Sequence, residues 1–321
     1  MRNREVTRWL GLAIALVALL VPAGVASAQE RPTVNTGAAT NRTPSTVTLT
    51  GWVNPRGGAT SYFFQIGPTS LFGSNTAVTS AGAGNARVPV AAPVSGLAPD
   101  TVYHYRIVAT KGSRIVRGQR RTFRTPRQPL GLGFVGSPNP VRAGRSTTLT
   151  GLLSGTGNAG RQVVLQANPF PYTQGFQTVA DPHVTNTTGG FSFPILSVPV
   201  NTQFRVLLAS RPEIASPIVV VGASVRVTTR TTTQRGRRSG TIRFRGSISP
   251  AVDGEEVQIQ RQRGDSWVVV GRTFARNAGA SRSTYSKRIR QRSGGRFRVV
   301  AAVDGAYVPS AGTAKRIRVR R

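Results

Sequence analysis

The sequence of 321 residues contains no cysteine and only two histidines, His104 and His183. Without cysteine the chain has no disulfide bond, no thiolate nucleophile and no cysteine-ligated zinc. Two lone histidines are also too few for a zinc site. Ordinary hydrophobic cores must therefore stabilise each domain, and we expect neither a metal ion nor a cofactor.

Acidic residues are also scarce, with 10 Asp+Glu against 43 Lys+Arg and a formal net charge of +33. Lysine occurs only at Lys111, Lys287 and Lys315, so nearly all of the positive charge is arginine. Such a surface attracts polyanions, including wall polymers, acidic polysaccharides, anionic lipids and nucleic acid. GC-rich codon usage also favours arginine over lysine, although it does not explain the shortage of acids. Both interpretations stay open at this point.

The few acids and histidines do not form a catalytic pattern. Glycan hydrolases need two carboxylates across a cleft, whereas Glu255 and Glu256 are adjacent and would point to opposite faces of a strand. His104 lies between two tyrosines and is expected to face solvent, and His183 is expected in a loop. There is no G-x-S-x-G elbow and no glycine-rich phosphate loop. We therefore expect a protein that is not an enzyme.

Residues 1–28 have the pattern of a secretory signal peptide. Three early arginines precede an apolar run from Leu10 to Val21, and Ala26-Ser27-Ala28 forms a small-residue cleavage site. The apolar run is shorter than the ~20 residues that a membrane-spanning helix needs. We expect a mature chain without a transmembrane segment, secreted or associated with the cell envelope.

The rest of the chain is predicted to be all-β. No window keeps the apolar spacing of a helix, and short alternating runs are separated by Gly, Pro, Asn and Asp, as in β-sandwiches. The length predicts three tandem sandwich domains, at residues 31–126, 130–221 and 223–321. Phe244, Phe274 and Phe297 are expected in the core of the third domain. Thr228–Gly240 is interpreted as a loose hinge.

The first domain carries the sequence Gly96-Leu97-Ala98-Pro99-Asp100-Thr101-Val102-Tyr103. Leu97, Pro99, Thr101 and Tyr103 match an L-x-P-x-T-x-Y pattern, and in this respect the domain resembles fibronectin type III domains. The resemblance implies a β-sandwich with a tyrosine corner, in which the Tyr103 hydroxyl bonds to backbone upstream. It identifies no ligand, although a protein partner of this domain is possible.

The second and third domains look like divergent copies of each other. Residues 160–166 parallel residues 254–260, and residues 204–208 parallel residues 297–301. Both domains resemble bacterial immunoglobulin-like modules, which occur in tandem on secreted and surface proteins. The resemblance implies further β-sandwiches and no particular ligand.

The third domain holds 23 Lys+Arg against 5 acids. Several of its arginines alternate with apolar residues, so on strands they would form ridges on outer faces. Like charges stacked across strands cost stability, and a bound polyanion would relieve that cost. The candidate polyanion-binding residues are Arg243, Arg245, Arg288, Arg290, Arg296, Arg298, Arg316, Arg318 and Arg320.

We therefore expect an exported, non-enzymatic protein that associates electrostatically with anionic cell-wall polymers or acidic polysaccharides. Sequence-specific nucleic-acid binding is not expected, because aromatic residues that stack on bases are not interleaved with these arginines. The alternative is a carbohydrate-binding accessory protein that acts with a separate extracellular hydrolase. Its candidate sugar platforms are Trp52, Trp267 and Tyr172, although the context of Trp52 favours the core.

Overall fold

A computed structural model describes residues 30–234 and 240–318, and this part of the chain is all-β, as the sequence predicted. The architecture is a series of tandem β-sandwiches. Within the described ranges there is no helix long and apolar enough to cross a membrane. The predicted signal peptide at residues 1–28 and the candidate residue Arg320 lie outside the described residues.

The first sandwich consists of two antiparallel sheets, ordered β1-β2-β6 and β4-β3-β7-β8, with β5 on β3 and β9 on β7. Tyr103, the residue of the expected tyrosine corner, is buried, and its hydroxyl accepts a hydrogen bond of 2.9 Å from the backbone N–H of Ala98. The strands are β1 (Thr33–Thr40), β2 (Thr46–Asn54), β3 (Thr60–Gly67), β4 (Ser74–Asn75), β5 (Thr79–Gly82), β6 (Val88–Ser95), β7 (Val102–Lys111), β8 (Arg114–Arg117) and β9 (Arg121–Arg124).

The second sandwich pairs a sheet β10-β12-β16 with a sheet β14-β13-β17-β18, and β15 and β19 join β13 and β17. The strands are β10 (Gly131–Ser137), β11 (Val141–Arg142), β12 (Arg145–Ser154), β13 (Gln162–Pro169), β14 (Gln177–Thr178), β15 (His183–Val184), β16 (Gly190–Val198), β17 (Thr202–Leu208), β18 (Arg211–Ala215) and β19 (Val219–Val221).

The third sandwich pairs a sheet β21-β23-β27-β26, with β22 on β23, and a sheet β25-β24-β28-β29, with β30 on β28. The strands are β20 (Ala223–Ser224), β21 (Arg226–Val227), β22 (Arg230–Gln234), β23 (Gly240–Ser249), β24 (Glu256–Arg263), β25 (Ser266–Phe274), β26 (Arg276–Asn277), β27 (Ser283–Gln291), β28 (Gly295–Ala301), β29 (Ser310–Ala311) and β30 (Lys315–Ile317).

Each sandwich has its own hydrophobic core, because alternate residues of its strands point inward. In β23, for example, Ile242, Phe244 and Ile248 are buried while the residues between them face outward. The chain divides into two compact units between Pro126 and Arg127. The second and third sandwiches both belong to the second unit, and the predicted domain boundary at residues 221–223 remains a prediction.

Within the second unit, backbone pairing and one asparagine join the two sandwiches. Strand β11 pairs in parallel with β20, so that Val141 lies beside Ala223. The side chain of Asn201 donates a hydrogen bond of 2.7 Å to the carbonyl of Gly305 and accepts one of 2.8 Å from the N–H of Ala223. Tyr307 packs against both cores. The second and third sandwiches are therefore connected by more than a linker.

Two expectations about the third sandwich are wrong. The segment Thr228–Gly240 was expected to be a loose hinge. Its described part is not one, because Arg230–Gln234 forms β22 and pairs with β23. Phe274 is not in the core, because 62% of its surface is exposed. Phe274 lies beyond a bulge between β24 and β25, where the register shifts at Ile259 and Gln260. A bulge exchanges the inward and outward positions that follow it.

Candidate polyanion-binding site

One outer sheet face of the third sandwich is lined by arginine. Strand β23 lies between β22 and β27, and Arg243 is directly opposite Arg288 while Arg245 is directly opposite Arg230. We call the exposed side of these three strands the arginine face. Its arginines, all of them exposed, are Arg230, Arg243, Arg245, Arg288 and Arg290.

The arginine face forms because its strands alternate strictly. Ile242 and Phe244 on β23 and Ile289 on β27 are buried, so the arginines next to them must point outward. The face therefore follows from the packing of the core.

No acid offsets these charges, as far as the structure describes the chain. None of the arginines on the arginine face is within ion-pair distance of a described carboxylate. Arg243 donates a hydrogen bond from Nε to Ser286 Oγ at 3.2 Å, and its terminal nitrogens make no hydrogen bond with a described residue. Like charges directly opposite each other on neighbouring strands are destabilising.

A small pocket of about 70 Å³ lies on the arginine face. Arg243 and Arg288 line it together with the hydroxyl-bearing residues Thr232 and Thr241 and the amide of Gln234. These side chains offer hydrogen-bond donors and positive charge, which is the combination that binds the oxygen atoms of a carboxylate, sulfate or phosphate.

The other candidate arginines lie on the opposite sheet. Arg296 on β28 is directly opposite Arg316 on β30, and Arg298 is two residues further along the same face of β28. Arg318 is exposed just after β30 ends. The structure therefore places eight of the nine arginines predicted from the sequence, four on each of two faces of the third sandwich, and Arg320 lies outside the described residues.

Arg230 was missed by the sequence reasoning, because its segment was interpreted as a hinge. The run Arg230-Thr231-Thr232-Thr233-Gln234 nevertheless carries a sequence signal for a strand. β-Branched residues favour strands, and two-fold spacing places Arg230 on the same side as Thr232.

Two of the three candidate sugar platforms have an arginine guanidinium over one face of the ring. The guanidinium carbon of Arg298 lies 4.4 Å from the ring centroid of Trp267. Trp52 was expected in the core but is half-buried on the outer side of β2, with the guanidinium carbon of Arg87 at 4.4 Å from its ring centroid. Tyr172 is half-buried, and its ring meets that of Phe170 edge to face.

The histidines and acids remain dispersed. His104 was expected to face solvent, but it is half-buried on β7 and its Nδ1 is buried without a hydrogen-bond partner. His183 was expected in a loop, but it lies exposed on β15, which pairs with β13. Over residues 30–234 and 240–318, no three His, Asp or Glu side chains come close enough together to hold a metal ion.

Comparisons with known proteins do not assign the chain to a family. No family model matches the sequence, and no curated protein matches it. The solved structures of similar chains include the fibronectin domains FN1–FN3 of chicken CNTN1, with 16% sequence identity, a TM-score of 0.28, and coverage of 89% of this chain and 99% of that chain. A tetra-tandem repeat from the extending region of a large adhesion protein has 14% identity, a TM-score of 0.26, and coverage of 89% and 74%.

The arginine face differs from the opposite sheet in the number of its directly opposed arginines. On the opposite sheet, Arg296 is opposed by Arg316, but Arg272 forms an ion pair of 3.3 Å with Glu256. The arginine face has two directly opposed pairs, Arg243 with Arg288 and Arg230 with Arg245, and no ion pair with a described carboxylate. An anionic ligand on this face would relieve the repulsion of both pairs.

Proposed function

We propose that this protein is an exported, non-enzymatic binding protein that holds an acidic polymer on the arginine face of its third sandwich. The observation that carries the proposal is the direct opposition of Arg243 and Arg288 across β23 and β27, without a carboxylate between them in the described chain. The first sandwich would serve as a spacer or as the surface for a protein partner.

The spread of the arginines over three strands supports an anionic polymer as the ligand. The arginines of the arginine face spread over three strands that lie about 4.8 Å apart, so a single small anion can contact only part of them. A polymer with repeated negative groups can contact several arginines together and release counterions as it binds. The predicted signal peptide would bring the chain to acidic polysaccharides or wall polymers outside the cytoplasm.

Binding of a neutral sugar on a bare aromatic platform has less support. A sugar ring stacks on an open aromatic face, and one face of both Trp52 and Trp267 is covered by a guanidinium group. Among the three candidate platforms of the accessory-protein alternative, Tyr172 alone has no guanidinium group over its ring within the described residues, and that ring packs edge to face with Phe170.

The test compares heparin binding by the full chain and by R243Q/R288Q in isothermal titration calorimetry. Each lost charge-assisted contact contributes at least ~1.4 kcal/mol, which is about tenfold in affinity, so we expect the loss of both to weaken binding by roughly 100-fold. The matched control R114Q/R120Q removes the same charge from exposed arginines of the first sandwich. If the two double variants lose the same affinity, binding depends on net charge and the arginine face is not the site.

A further inference from the structure

An arginine is held between a glutamine and an aromatic ring in each of the three sandwiches. In every case the arginine Nε donates a hydrogen bond of 2.8 Å to the glutamine Oε1. The guanidinium carbon lies 4.3 to 4.6 Å from the centroid of the ring. We call these sets the arginine triads, and they are Gln65, Arg106 and Phe72; Gln166, Arg205 and Phe176; and Gln260, Arg298 and Trp267.

The triads occupy the same place in each sandwich. The glutamine and the arginine are direct partners across antiparallel strands, on β3 and β7, β13 and β17, and β24 and β28 respectively. The aromatic residue follows the glutamine strand along the chain. A buried aromatic residue precedes each arginine, namely Tyr105, Phe204 and Phe297. The first sandwich therefore shares this arrangement of glutamine, arginine and aromatic residue with the other two. The internal sequence parallels connect only the second and third sandwiches.

Each triad fixes a guanidinium group and leaves its outer edge open. The ring covers one face of the guanidinium, and the glutamine occupies Nε. The terminal nitrogens Nη1 and Nη2 of Arg106, Arg205 and Arg298 make no hydrogen bond with any described residue. Because the side chain is already ordered, a ligand that bonds to both nitrogens loses little additional entropy.

The charge of the triad arginines also lacks an acidic partner within residues 30–234 and 240–318. No described carboxylate forms an ion pair with Arg106, Arg205 or Arg298. Burial, together with the nearby positive charge of Arg117, lowers the pKa of Arg106. Partly buried charges are normally paired, so an external anion would complete each triad.

We propose that each arginine triad binds one carboxylate of an acidic polysaccharide, so that each of the three sandwiches carries one such subsite. A carboxylate is planar and matches the two terminal nitrogens of one guanidinium, and its single charge balances the single charge of the arginine. Three equivalent subsites on one chain suit a polymer that repeats its acidic group.

The triads are independent of the proposed function. In the third sandwich, the triad lies on β24 and β28, whereas the arginine face lies on β22, β23 and β27, in the opposite sheet. Failure of one proposal therefore leaves the other standing. Substitutions in the triads that keep the charge, and substitutions on the arginine face that remove it, separate the two in one set of measurements.

The experiment measures binding of polygalacturonate, dextran sulfate and polyglutamate to the full chain and to R106K/R205K/R298K. Lysine keeps the charge but has no planar fork. We expect the affinity for polygalacturonate to fall roughly tenfold or more, in line with the loss of bidentate charge-assisted bonds. The affinity for dextran sulfate should stay within about twofold, because the arginine face and the net charge are unchanged. Circular dichroism and thermal melting establish that the variant is folded.

Each outcome decides the proposal. Unchanged affinity for polygalacturonate overturns it, and an equal loss for dextran sulfate overturns the assignment to a carboxylate. An equal loss for polyglutamate overturns the assignment to a polysaccharide. If the triple variant does not fold, R298K and W267L are used singly. Both should weaken binding of polygalacturonate, W267L because Arg298 remains but loses the ring that orients it.

Discussion

Arg243 and Arg288 are direct neighbours across two antiparallel strands, and both side chains are exposed on the same face of the sheet. Removal of one of the two charges should therefore stabilise the fold. We expect R288Q to raise the free energy of unfolding by about 0.2 to 1 kcal/mol in low salt. The gain should shrink in 1 M salt, where the Debye length falls to about 3 Å.

Urea denaturation at low and high salt checks this prediction. The matched control is R211Q, because Arg211 is exposed in the same unit and lies opposite Leu208 instead of a cation. A gain of the same size in R211Q would mean that general repulsion, and not the pair of Arg243 and Arg288, is the cause.

Tyr285 should give the protein a dependence of stability on alkaline pH. Its ring is buried, and its hydroxyl donates a hydrogen bond of 2.8 Å to the carbonyl of Thr228 while sharing one of 2.7 Å with Thr229 Oγ1. Burial raises the pKa of Tyr285 to about 12, against about 10 in an unfolded chain. The folded state therefore keeps its proton longer, and this stabilisation is complete below about pH 10 and is lost as the pH rises through about 12.

The variant Y285F isolates this contribution. We expect it to cost about 1 to 2 kcal/mol at neutral pH, because the Thr228 carbonyl loses its side-chain donor. Its stability should also fall less steeply between about pH 10 and 12 than that of the parent. Parallel slopes for the two proteins in chemical denaturation would show that another group dominates in this range.

Lys111 should be essential to the first sandwich although arginine is the usual cation of this chain. It is buried, and its ammonium donates hydrogen bonds of 2.9 to 3.1 Å to the carbonyls of Glu30, Pro55 and Arg56. We expect K111M to lower the free energy of unfolding by roughly 2 to 4 kcal/mol, because three carbonyls lose their donor. K111R should also destabilise, because a planar guanidinium cannot replace a compact ammonium that donates in three directions.

Fluorescence of Trp52 reports unfolding of the first sandwich and serves as the readout. The exposed substitution R114K is the control and should leave the urea midpoint unchanged. A stable K111R would show that the three carbonyls accept either cation.

Asn201 should couple the second and third sandwiches. Its side chain bonds to the backbone of Gly305 and Ala223 at once. We expect N201A to lower the free energy of unfolding of the second unit by about 2 kcal/mol, because the buried N–H of Ala223 and the half-buried carbonyl of Gly305 lose their partner. Trp267 fluorescence in a urea titration measures the change, and an unaltered midpoint would show that pairing of β11 with β20 is sufficient.

Much of the fold could be predicted because the core strands alternate clearly. Buried Val47, Leu49 and Val53 on β2 illustrate the pattern. Strand β22 escaped prediction because an edge strand of Thr, Arg and Gln offers no apolar alternation. Phe274 was assigned to the wrong face because a bulge cannot be seen in the period of the sequence.

The candidate sites could be predicted only in part. The alternation of arginine with apolar residues identified the arginine ridges. That Arg243 lies opposite Arg288 depends on the pairing of β23 with β27. The sequence does not reveal this pairing, because more than 40 positions separate the two residues in the chain. The arginine triads were missed for a similar reason. Each joins two strands and a following aromatic residue, and the spacing from Gln65 to Phe72 differs from that between Gln166 and Phe176.

The salt dependence of heparin binding tests the central claim most directly. The logarithm of the binding constant should fall linearly with the logarithm of salt concentration, with a slope that decreases in size by about one for each arginine contact removed. We therefore predict a slope smaller by about two in R243Q/R288Q and an unchanged slope in R114Q/R120Q. Identical slopes in the parent and R243Q/R288Q, or binding that persists unchanged through about 1 M salt, would contradict the account.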